Sequence, residues 1–394
     1  MTDLVHPRER TLANITLVLG ALVWLALIIG TYGLALIALG LGLLIYIFLH
    51  SALVSHVKGK GVELSEAQFP DVYADLVACC ERLKVKSVPK AYVLNGNGVL
   101  NAFATRFLKA QYVVLLSDLV DAMAKHPDGV RFYLGHELGH LREKHFSLQV
   151  LRWPVLWLPL LGAAYSRARE TSSDLHGLAC SASPEGAARA LVLLAAGAQR
   201  WPQVDLAKFV RQAKYTTGFW MSFHELTAAY PWLTKRVARV MNPAVKLPPR
   251  HALAYAVAAF IPYTGRLGGG VGFLIVVYLI GVLAANAIPA YQDHTVRTKL
   301  GAATFASQNA RDTLGGYYQT HKAVPESLGS LGIAPKLADG SSLALDANTM
   351  ALTVATRQGA LLFIPSPNAQ GLIEWRCVAE EKIKPALLPA ECKR

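Results

Sequence analysis

Two histidines four residues apart, with a glutamate beside the first, occur in the stretch YLGHELGHLREKH (Tyr133–His145). On an α-helix, positions i and i+4 share one face, so His136 and His140 can present imidazole nitrogens to one metal ion. Glu137 projects about 100° around the helix from His136. It would lie beside the metal and serve as a general base that takes a proton from water. The spacing predicts a hydrolytic metal site; the alternative is a polar patch on an ordinary helix.

A catalytic zinc needs a third protein ligand and an open position. A second helical stretch, YSRARETSSDLHG (165–177), holds Glu170 and Asp174 four residues apart. Glu170 can complete a His-His-Glu set, and Asp174 can accept a hydrogen bond from the outer ring nitrogen of a ligand histidine. The alternative is a surface pair of carboxylates among arginines. Two imidazoles with one carboxylate suit zinc, with one ion per chain.

The residues that surround these motifs predict a helix-rich domain with a small sheet. EAQFPDVYADLVACCERLKV has apolar residues at spacings of three and four, which is typical of a helix. KAYVLNGNGVLNAFATRF and AQYVVLLSDLVDAM are β-rich, and the second of them runs into a helix. The stretch that contains the two histidines is again helical.

Long apolar segments indicate a membrane protein, and 53% of the 394 residues are hydrophobic. A single helix over residues 12–50 would be about 55 Å long, against a hydrocarbon core of about 30 Å. Two spans that turn near residues 30–33 fit better, and a third span is predicted near 270–288. A signal peptide is the alternative for the N-terminus, but the apolar block is too long for one. Residues 149–165 are too short to span and are predicted to be buried or interfacial.

The formal charge of +13 does not indicate nucleic-acid binding. The basic residues cluster beside the apolar segments, as they do in cytoplasmic loops, and no nucleic-acid motif is present. This pattern places the N-terminus and the domain from residue 51 in the cytoplasm and the C-terminus outside. Cys377 and Cys392, 15 residues apart on the oxidising side, are predicted to form a disulfide; the alternative is two free thiols.

Four separate stretches resemble membrane-anchored zinc metallopeptidases of the HtpX and CAAX prenyl protease type, within the gluzincins. The resemblance covers roughly residues 60–240. The four stretches, in chain order, are NAFA (Asn101–Ala104), HELGHLREKH, SRARETSSD and YPWLTKRVARV (Tyr230–Val240). By position, the resemblance implies a set of site residues. These are the zinc ligands His136, His140 and Glu170, the general base Glu137, and Asp174 as a hydrogen-bond partner of a ligand.

The same resemblance assigns three further positions. Asn101 aligns with a residue near the scissile carbonyl, on an edge strand that pairs with extended substrate, where its amide can stabilise an oxyanion. Tyr230 stands where the family often has histidine, and its phenol can also donate to an oxyanion; the alternative is a packing role. His145 follows the family pattern but would lie about 140° around a continuous helix from His140. It is therefore expected to be structural or exposed.

The C-terminal third resembles type IV pilins over about residues 270–394. The resemblance rests on VGFLIVVYLIGVLAANAIPAYQDHTVRTKL and on IEWRCVAEEKIKPALLPAEC, which is similar to the disulfide-closed end of a pilin. The Gly-Phe cleavage site and the glutamate at mature position five are missing, since Gly268 and Gly272 fall at the first and fifth mature positions. Polymerisation into a filament is therefore not expected. A pilin-like segment also implies a bacterium.

Together these patterns predict a multi-domain membrane protein. Its parts would be an N-terminal transmembrane hairpin (1–50), a helix-rich α+β zincin-type metallopeptidase domain (51–250), a linker with a third transmembrane helix (251–290) and a small α/β pilin-like outer domain (291–394). The predicted function is a zinc endopeptidase of the bacterial inner membrane that cleaves misfolded membrane proteins in the cytoplasm, with the outer domain in the periplasm. The alternative is a non-enzymatic scaffold of pilus or secretion machinery.

Overall fold

The computed structural model describes residues 4–265 and 268–393. Its α-helices are α1 (Pro7–Gly30), α2 (Leu34–Lys60), α3 (Pro70–Leu83), α4 (Ser117–Met123), α5 (Pro127–Arg142), α6 (Gln149–Leu156), α7 (Leu161–Cys180), α8 (Pro184–Arg200), α9 (Leu206–Arg211), α10 (Phe219–Thr227), α11 (Leu233–Met241), α12 (Ala252–Ala258), α13 (Gly268–Ala306) and α14 (Gln308–His321). Its strands are β1 (Val62–Glu63), β2 (Lys90–Leu94), β3 (Ala102–Phe107), β4 (Ala110–Leu116), β5 (Ser342–Leu345), β6 (Leu352–Thr356), β7 (Gly359–Pro367) and β8 (Ile373–Ala379).

The chain divides into two compact units, Met1–Val277 and Tyr278–Arg394. They are called the first and second units below. The division falls inside α13, within the segment predicted to link the domains.

Within the described residues, three helical stretches are long and apolar enough to cross a membrane: α1, α2 and a stretch in Gly269–His321. They agree with the predicted hairpin and third span. α1 ends at Gly30 and α2 begins at Leu34, and Gly33 takes a left-handed φ of 87° at the turn, which glycine adopts without strain. The part of the chain that the structure describes therefore contains three candidate membrane spans.

The first unit contains a four-stranded sheet in the order β1-β2-β4-β3. β2 pairs with β4 in parallel, and β3 pairs with β4 antiparallel from Ala102↔Leu115 to Phe107↔Ala110. β3 is thus an edge strand. α5 packs against β3 on one side and against α3, α7 and α8 elsewhere, so the predicted metal helix lies in the middle of the unit.

Residues 149–165 form α6, a short turn and the start of α7, and α6 packs against α1. The Trp24 indole N–H donates to the carbonyl of Val150 at 2.9 Å. The helices approach so closely at Gly20 that an added Cβ would clash with the Leu151 carbonyl oxygen. The ring of Trp153 stacks on Trp24 of α1 with ring centroids 6.5 Å apart, yet Trp153 remains 68% exposed. The segment is therefore partly covered by a candidate span and partly exposed.

The second unit contains an antiparallel sheet in the order β5-β6-β7-β8. Alternate residues of these strands face inward and pack with Leu300 of α13 and Leu314 of α14. Cys377 on β8 and Cys392 near the C-terminus form a disulfide. This unit is a small α/β unit, and its place outside the membrane stays a prediction.

Candidate metal centre

Glycines on α5 allow α7 to approach closely. A Cβ added at Gly135 would lie 2.7 Å from the Cys180 Sγ and 2.8 Å from the His176 carbonyl oxygen, and one at Gly139 would lie 3.0 Å from the His176 Cβ. These glycines are four residues apart, so they line one face of α5. Because larger side chains would hold the two helices apart, the glycines let Glu170 of α7 reach the histidines of α5.

His136, His140 and Glu170 come together as a buried group whose ligand atoms all lie within 4.8 Å of one another. The Nε2 of His136 is 3.4 Å from one Glu170 oxygen, and the Nε2 of His140 is 3.7 Å from the other. Both imidazoles therefore turn the same ring nitrogen toward one carboxylate. The sequence predicted this set from two separate stretches.

The geometry of this group fits a bound cation. Donors about 2.0–2.1 Å from a tetrahedral zinc ion are separated from one another by about 3.3 Å, close to the observed separations. The Glu170 Oε2 is buried and has no hydrogen-bond partner among the described residues. An unpartnered buried carboxylate oxygen is costly unless a positive charge neutralises it. We conclude that the donor set suits a divalent ion.

The charges of the group are strongly perturbed. Burial disfavours the charged form of His136, but the Asp174 and Glu170 carboxylates outweigh it and raise its pKa to about 10. Burial alone would raise the pKa of Glu170, but His136 and His140 hold it at about 2. Burial dominates at His140 and lowers its pKa well below the usual value. The metal-free site thus holds one positive imidazolium against Glu170, where a cation can take the place of the proton.

Asp174 fixes the orientation of His136. Its Oδ1 lies 3.0 Å from the Nδ1 of His136, as predicted for the outer ring nitrogen. Arg236 of α11 donates to both Asp174 oxygens at 2.8 and 2.7 Å. This bidentate pair is buried, and it holds the carboxylate so that it accepts the His136 Nδ1–H.

His145 differs from its expected position. It is buried, and its Nδ1 lies 2.7 Å from the Nδ1 of His140. The expectation assumed a continuous helix, but α5 ends at Arg142 and the chain turns back toward the helix. The Nε2 of His145 lies 2.6 Å from the Oε1 of Glu9 on α1. His145 is therefore structural, as one of the two expectations had it, and supports a proposed ligand.

The three other predicted residues, Glu137, Asn101 and Tyr230, line the same cavity as the histidines, which has a volume of about 760 Å³. Glu137 is buried on α5, whereas Asn101, just before β3, is exposed. Tyr230 is 36% exposed, and the Arg236 guanidinium lies 5.9 Å from the centre of its ring. The cavity thus has β3 on one side and the Ala228–Trp232 turn on another.

Arg167 fixes the end of α10 and the first residue of that turn. Its Nη1 donates to the carbonyl oxygens of Glu225, Leu226 and Ala228 at 2.7, 2.9 and 2.9 Å. Arg167 itself is buried on α7, three residues before Glu170. The helix that supplies the proposed third ligand therefore also anchors the turn that carries Tyr230.

Sequence reasoning did not assign roles to Glu9, Arg167 or Arg236. Arg236 lies in YPWLTKRVARV (Tyr230–Val240), the stretch that was compared with the peptidases, so a signal for it was present. Arg167 likewise lies in SRARETSSD. Glu9 lies in an N-terminal segment classified only by hydrophobicity, and no local pattern links it to a site 136 residues away.

Known proteins match two separate segments of the chain. Residues 66–164 match the model of Peptidase family M48. The matched segment contains His136, Glu137 and His140 and ends before Glu170. M48 metallopeptidases are metal-dependent.

The chain also matches pilins. It is 36% identical over 66 residues to the type IV major pilin protein PilE1 of Neisseria gonorrhoeae, which is 17% of this chain and 40% of that protein. It is 27% identical over 132 residues to the fimbrial protein EcpC of Eikenella corrodens, which is 30% of this chain and 85% of that protein. The chain thus spans about two fifths of the Neisseria pilin.

A segment that matches Peptidase family M48 and a segment that matches pilins therefore occur together with three candidate membrane spans among the described residues. The chain combines a segment similar to a metallopeptidase family with a pilin-like segment.

Proposed function

We propose that the protein is an integral membrane zinc endopeptidase that hydrolyses peptide bonds in polypeptide substrates. The observation that carries the proposal is the buried His136, His140 and Glu170 group in a cavity that Glu137 also lines. A ligand set with a neighbouring carboxylate is what metal-assisted hydrolysis requires.

In this proposal His136, His140 and Glu170 hold the ion. When bound, the ion supplies Lewis-acid polarisation of a substrate carbonyl and of an attacking water molecule. Glu137 accepts the proton of that water and passes it to the nitrogen of the leaving peptide.

Asn101 and Tyr230 line the cavity from β3 and from the Ala228–Trp232 turn. We assign both as hydrogen-bond donors to the developing oxyanion, a role that preorganised amides and phenols can fill. An extended substrate would add a strand to the edge of β3, with main-chain hydrogen bonds giving affinity and the cavity accepting side chains.

The basic segments beside the candidate spans support a cytoplasmic peptidase unit and a periplasmic second unit in a bacterial inner membrane. Such a site meets membrane proteins that have lost their fold, because only unfolded chain can enter as an extended strand. We therefore propose misfolded membrane proteins as substrates, and quality control as the role.

The test uses the full chain, purified in detergent, with an unfolded model protein as substrate. Wild type should contain about one zinc per chain, cleave the substrate and be stopped by a chelator. Glu137→Gln should keep the metal and lose about 10²- to 10⁴-fold in cleavage rate. Glu185→Gln is the matched control, because Glu185 is an exposed helical glutamate paired with Arg189, and it should cleave like wild type.

Two results would contradict the proposal. Equal cleavage by wild type and Glu137→Gln would exclude Glu137 as the base. A wild-type protein that binds zinc but cleaves no unfolded substrate would instead favour the scaffold hypothesis, in which the peptidase fold is retained without turnover.

A further inference from the structure

Glu9 is an unusual residue for its helix. The rest of α1 is mostly apolar, and its exposed side chains include Val18, Leu22 and Leu25. Glu9 stands in the first turn and is only 5% exposed. A buried carboxylate is costly unless it is paired or hydrogen-bonded. Its partner therefore explains why it is buried.

That partner is His145, and through it Glu9 reaches the metal centre. Two short contacts in series join the three side chains: Glu9 Oε1 to His145 Nε2 at 2.6 Å, and His145 Nδ1 to His140 Nδ1 at 2.7 Å. All three side chains are buried. Water is therefore a poor competitor for these contacts, and each ring is held by its neighbour.

The order of donors and acceptors along this chain follows from Glu9. A carboxylate only accepts hydrogen bonds, so the Nε2 of His145 carries the hydrogen. In neutral His145 the Nδ1 then has a lone pair and accepts from the Nδ1–H of His140. The Nε2 of His140 is left without a hydrogen and faces Glu170, which is the form that binds a metal.

The two proposed histidine ligands are thus supported in different ways. His136 donates directly to Asp174, which lies on α7 and is held by Arg236. The outer ring nitrogen of His140, its Nδ1, instead reaches a carboxylate through His145, and that carboxylate is on a candidate membrane span.

α1 is also fixed in place at this point. The backbone N–H of His6 donates to the Oγ of Ser172 on α7 at 2.9 Å, four residues before the buried His176 and two after Glu170. α1 packs along both α6 and α7. Glu9 is therefore held at a defined depth relative to the helix that carries Glu170.

We propose that Glu9 is a positioning residue of the metal centre, so that the first candidate membrane span helps to build the site instead of only anchoring it. Glu9 acts through His145 to set the tautomer and orientation of His140. This inference rests on the proposed metal site, and it adds to that proposal a dependence of zinc affinity on α1.

The test measures zinc affinity of the full chain in detergent by competition with a chelator, and needs no substrate. Glu9→Leu removes the acceptor while filling a similar volume and should weaken zinc binding about tenfold, since outer partners of metal ligands are worth 10- to 100-fold. Glu9→Gln keeps the shape, but its amide can donate as well as accept. It should give a smaller loss in the same direction. Thr16→Val is the matched control: its hydroxyl is buried on α1 but bonds only carbonyls of its own helix.

Two further measurements separate positioning from a general loss of packing. The electronic spectrum of the Co²⁺-loaded protein should shift in Glu9→Leu and not in Thr16→Val, because it reports the ligand field. His145→Leu should also weaken zinc binding, and Glu9→Leu added to His145→Leu should cause little further loss, since both changes break one series of contacts.

The inference is overturned if Glu9→Leu and Glu9→Gln bind zinc as tightly as wild type. It is also overturned if the losses from Glu9→Leu and His145→Leu simply add, or if Thr16→Val causes the same loss and spectral shift. If Glu9→Leu fails to fold, Glu9→Gln decides. A wild type that binds no zinc would overturn the proposed function itself, and this result is seen without any variant.

Discussion

Both units have an apolar core, but they differ in the charged side chains that they also bury. The first unit buries a group of charged and histidine side chains around one cavity: His136, Glu137, His140, His145, Arg167, Glu170, Asp174 and Arg236. The second unit buries mainly aliphatic and aromatic residues, such as Leu352, Leu361 and Phe363, and it is closed by a disulfide. Burying charge is unfavourable unless every charge is paired. The first unit thus keeps costly pairs where chemistry is proposed, whereas the second is built for stability.

The largest effect on stability is expected from breaking one buried pair of the first unit. Asp174→Ala leaves the Arg236 guanidinium buried without its carboxylate, and we expect a loss of about 3–5 kcal/mol in the free energy of unfolding. Hydrogen exchange of the α5 and α7 amides in the detergent-solubilised chain measures it. Asp174→Asn should lose less, because an amide oxygen still accepts. Equal exchange in wild type and Asp174→Ala would show that the pair does not stabilise this unit.

A somewhat smaller effect is expected in the second unit. The double change Cys377→Ala and Cys392→Ala opens a loop of 15 residues and should cost about 3 kcal/mol. Hydrogen exchange of the β7 and β8 amides should rise, while that of α5 stays the same. A reductant added to wild type should reproduce the effect. If the β-strand amides do not respond, the second unit is held by its apolar core alone.

A third change tests the close packing of α5 on α7. Gly139→Ala brings a methyl group 3.0 Å from the His176 side chain and should cost about 1–3 kcal/mol by overpacking. Gly316→Ala on α14 is the control, because nothing lies within 4 Å of its added Cβ. That change should be neutral or slightly stabilising, since alanine favours helix. Equal effects of the two changes would mean that the helices are not in such close contact.

The smallest effect on stability is expected from Tyr230→Phe, which removes one hydroxyl from a residue that is 36% exposed. The free energy of unfolding should change by less than about 0.5 kcal/mol. Cleavage of an unfolded substrate should nevertheless slow by about 10²-fold or more in kcat, with little change in KM, if the hydroxyl stabilises the oxyanion. An unchanged kcat would assign Tyr230 to packing.

Most helices and strands could be predicted from the sequence, because long apolar blocks and regular spacings depend only on local residues. The three candidate spans, the strand-to-helix segment β4–α4 and the α5 helix follow from such patterns. The pairing of β3 at the edge of the sheet, and the division of the chain inside α13, depend on packing between distant segments. They could not be obtained from local spacing.

The candidate site shows the same division. His136 and His140 stand on one helix face, so their spacing alone predicted that they meet. Glu170 and Asp174 were candidates from their own spacing of four residues, and the resemblance to a known family supported them. That they lie beside the histidines depends on the packing of α7 on α5, which local spacing does not describe. His145 was assigned an angle on a helix that ends three residues earlier, and Glu9 was counted only as part of an apolar segment. His145 contacts His140, five residues away, and Glu9, 136 residues away. Neither contact follows from the periodicity of a helix or a strand.

The three hydrogen bonds from Arg167 to the end of α10 and to Ala228, two residues before Tyr230, affect how a substrate would enter. This side of the cavity is already held by hydrogen bonds from Arg167 to its backbone carbonyls. It therefore loses little conformational freedom when a polypeptide enters. Nearly all of the ordering entropy would then be lost by the entering polypeptide, at about 1–2 kcal/mol for each residue that becomes fixed. Substrate segments that make few tertiary contacts could bind directly, whereas a segment still packed in its own fold must first unfold locally. Selection would depend on the local stability of the client, more than on its side chains.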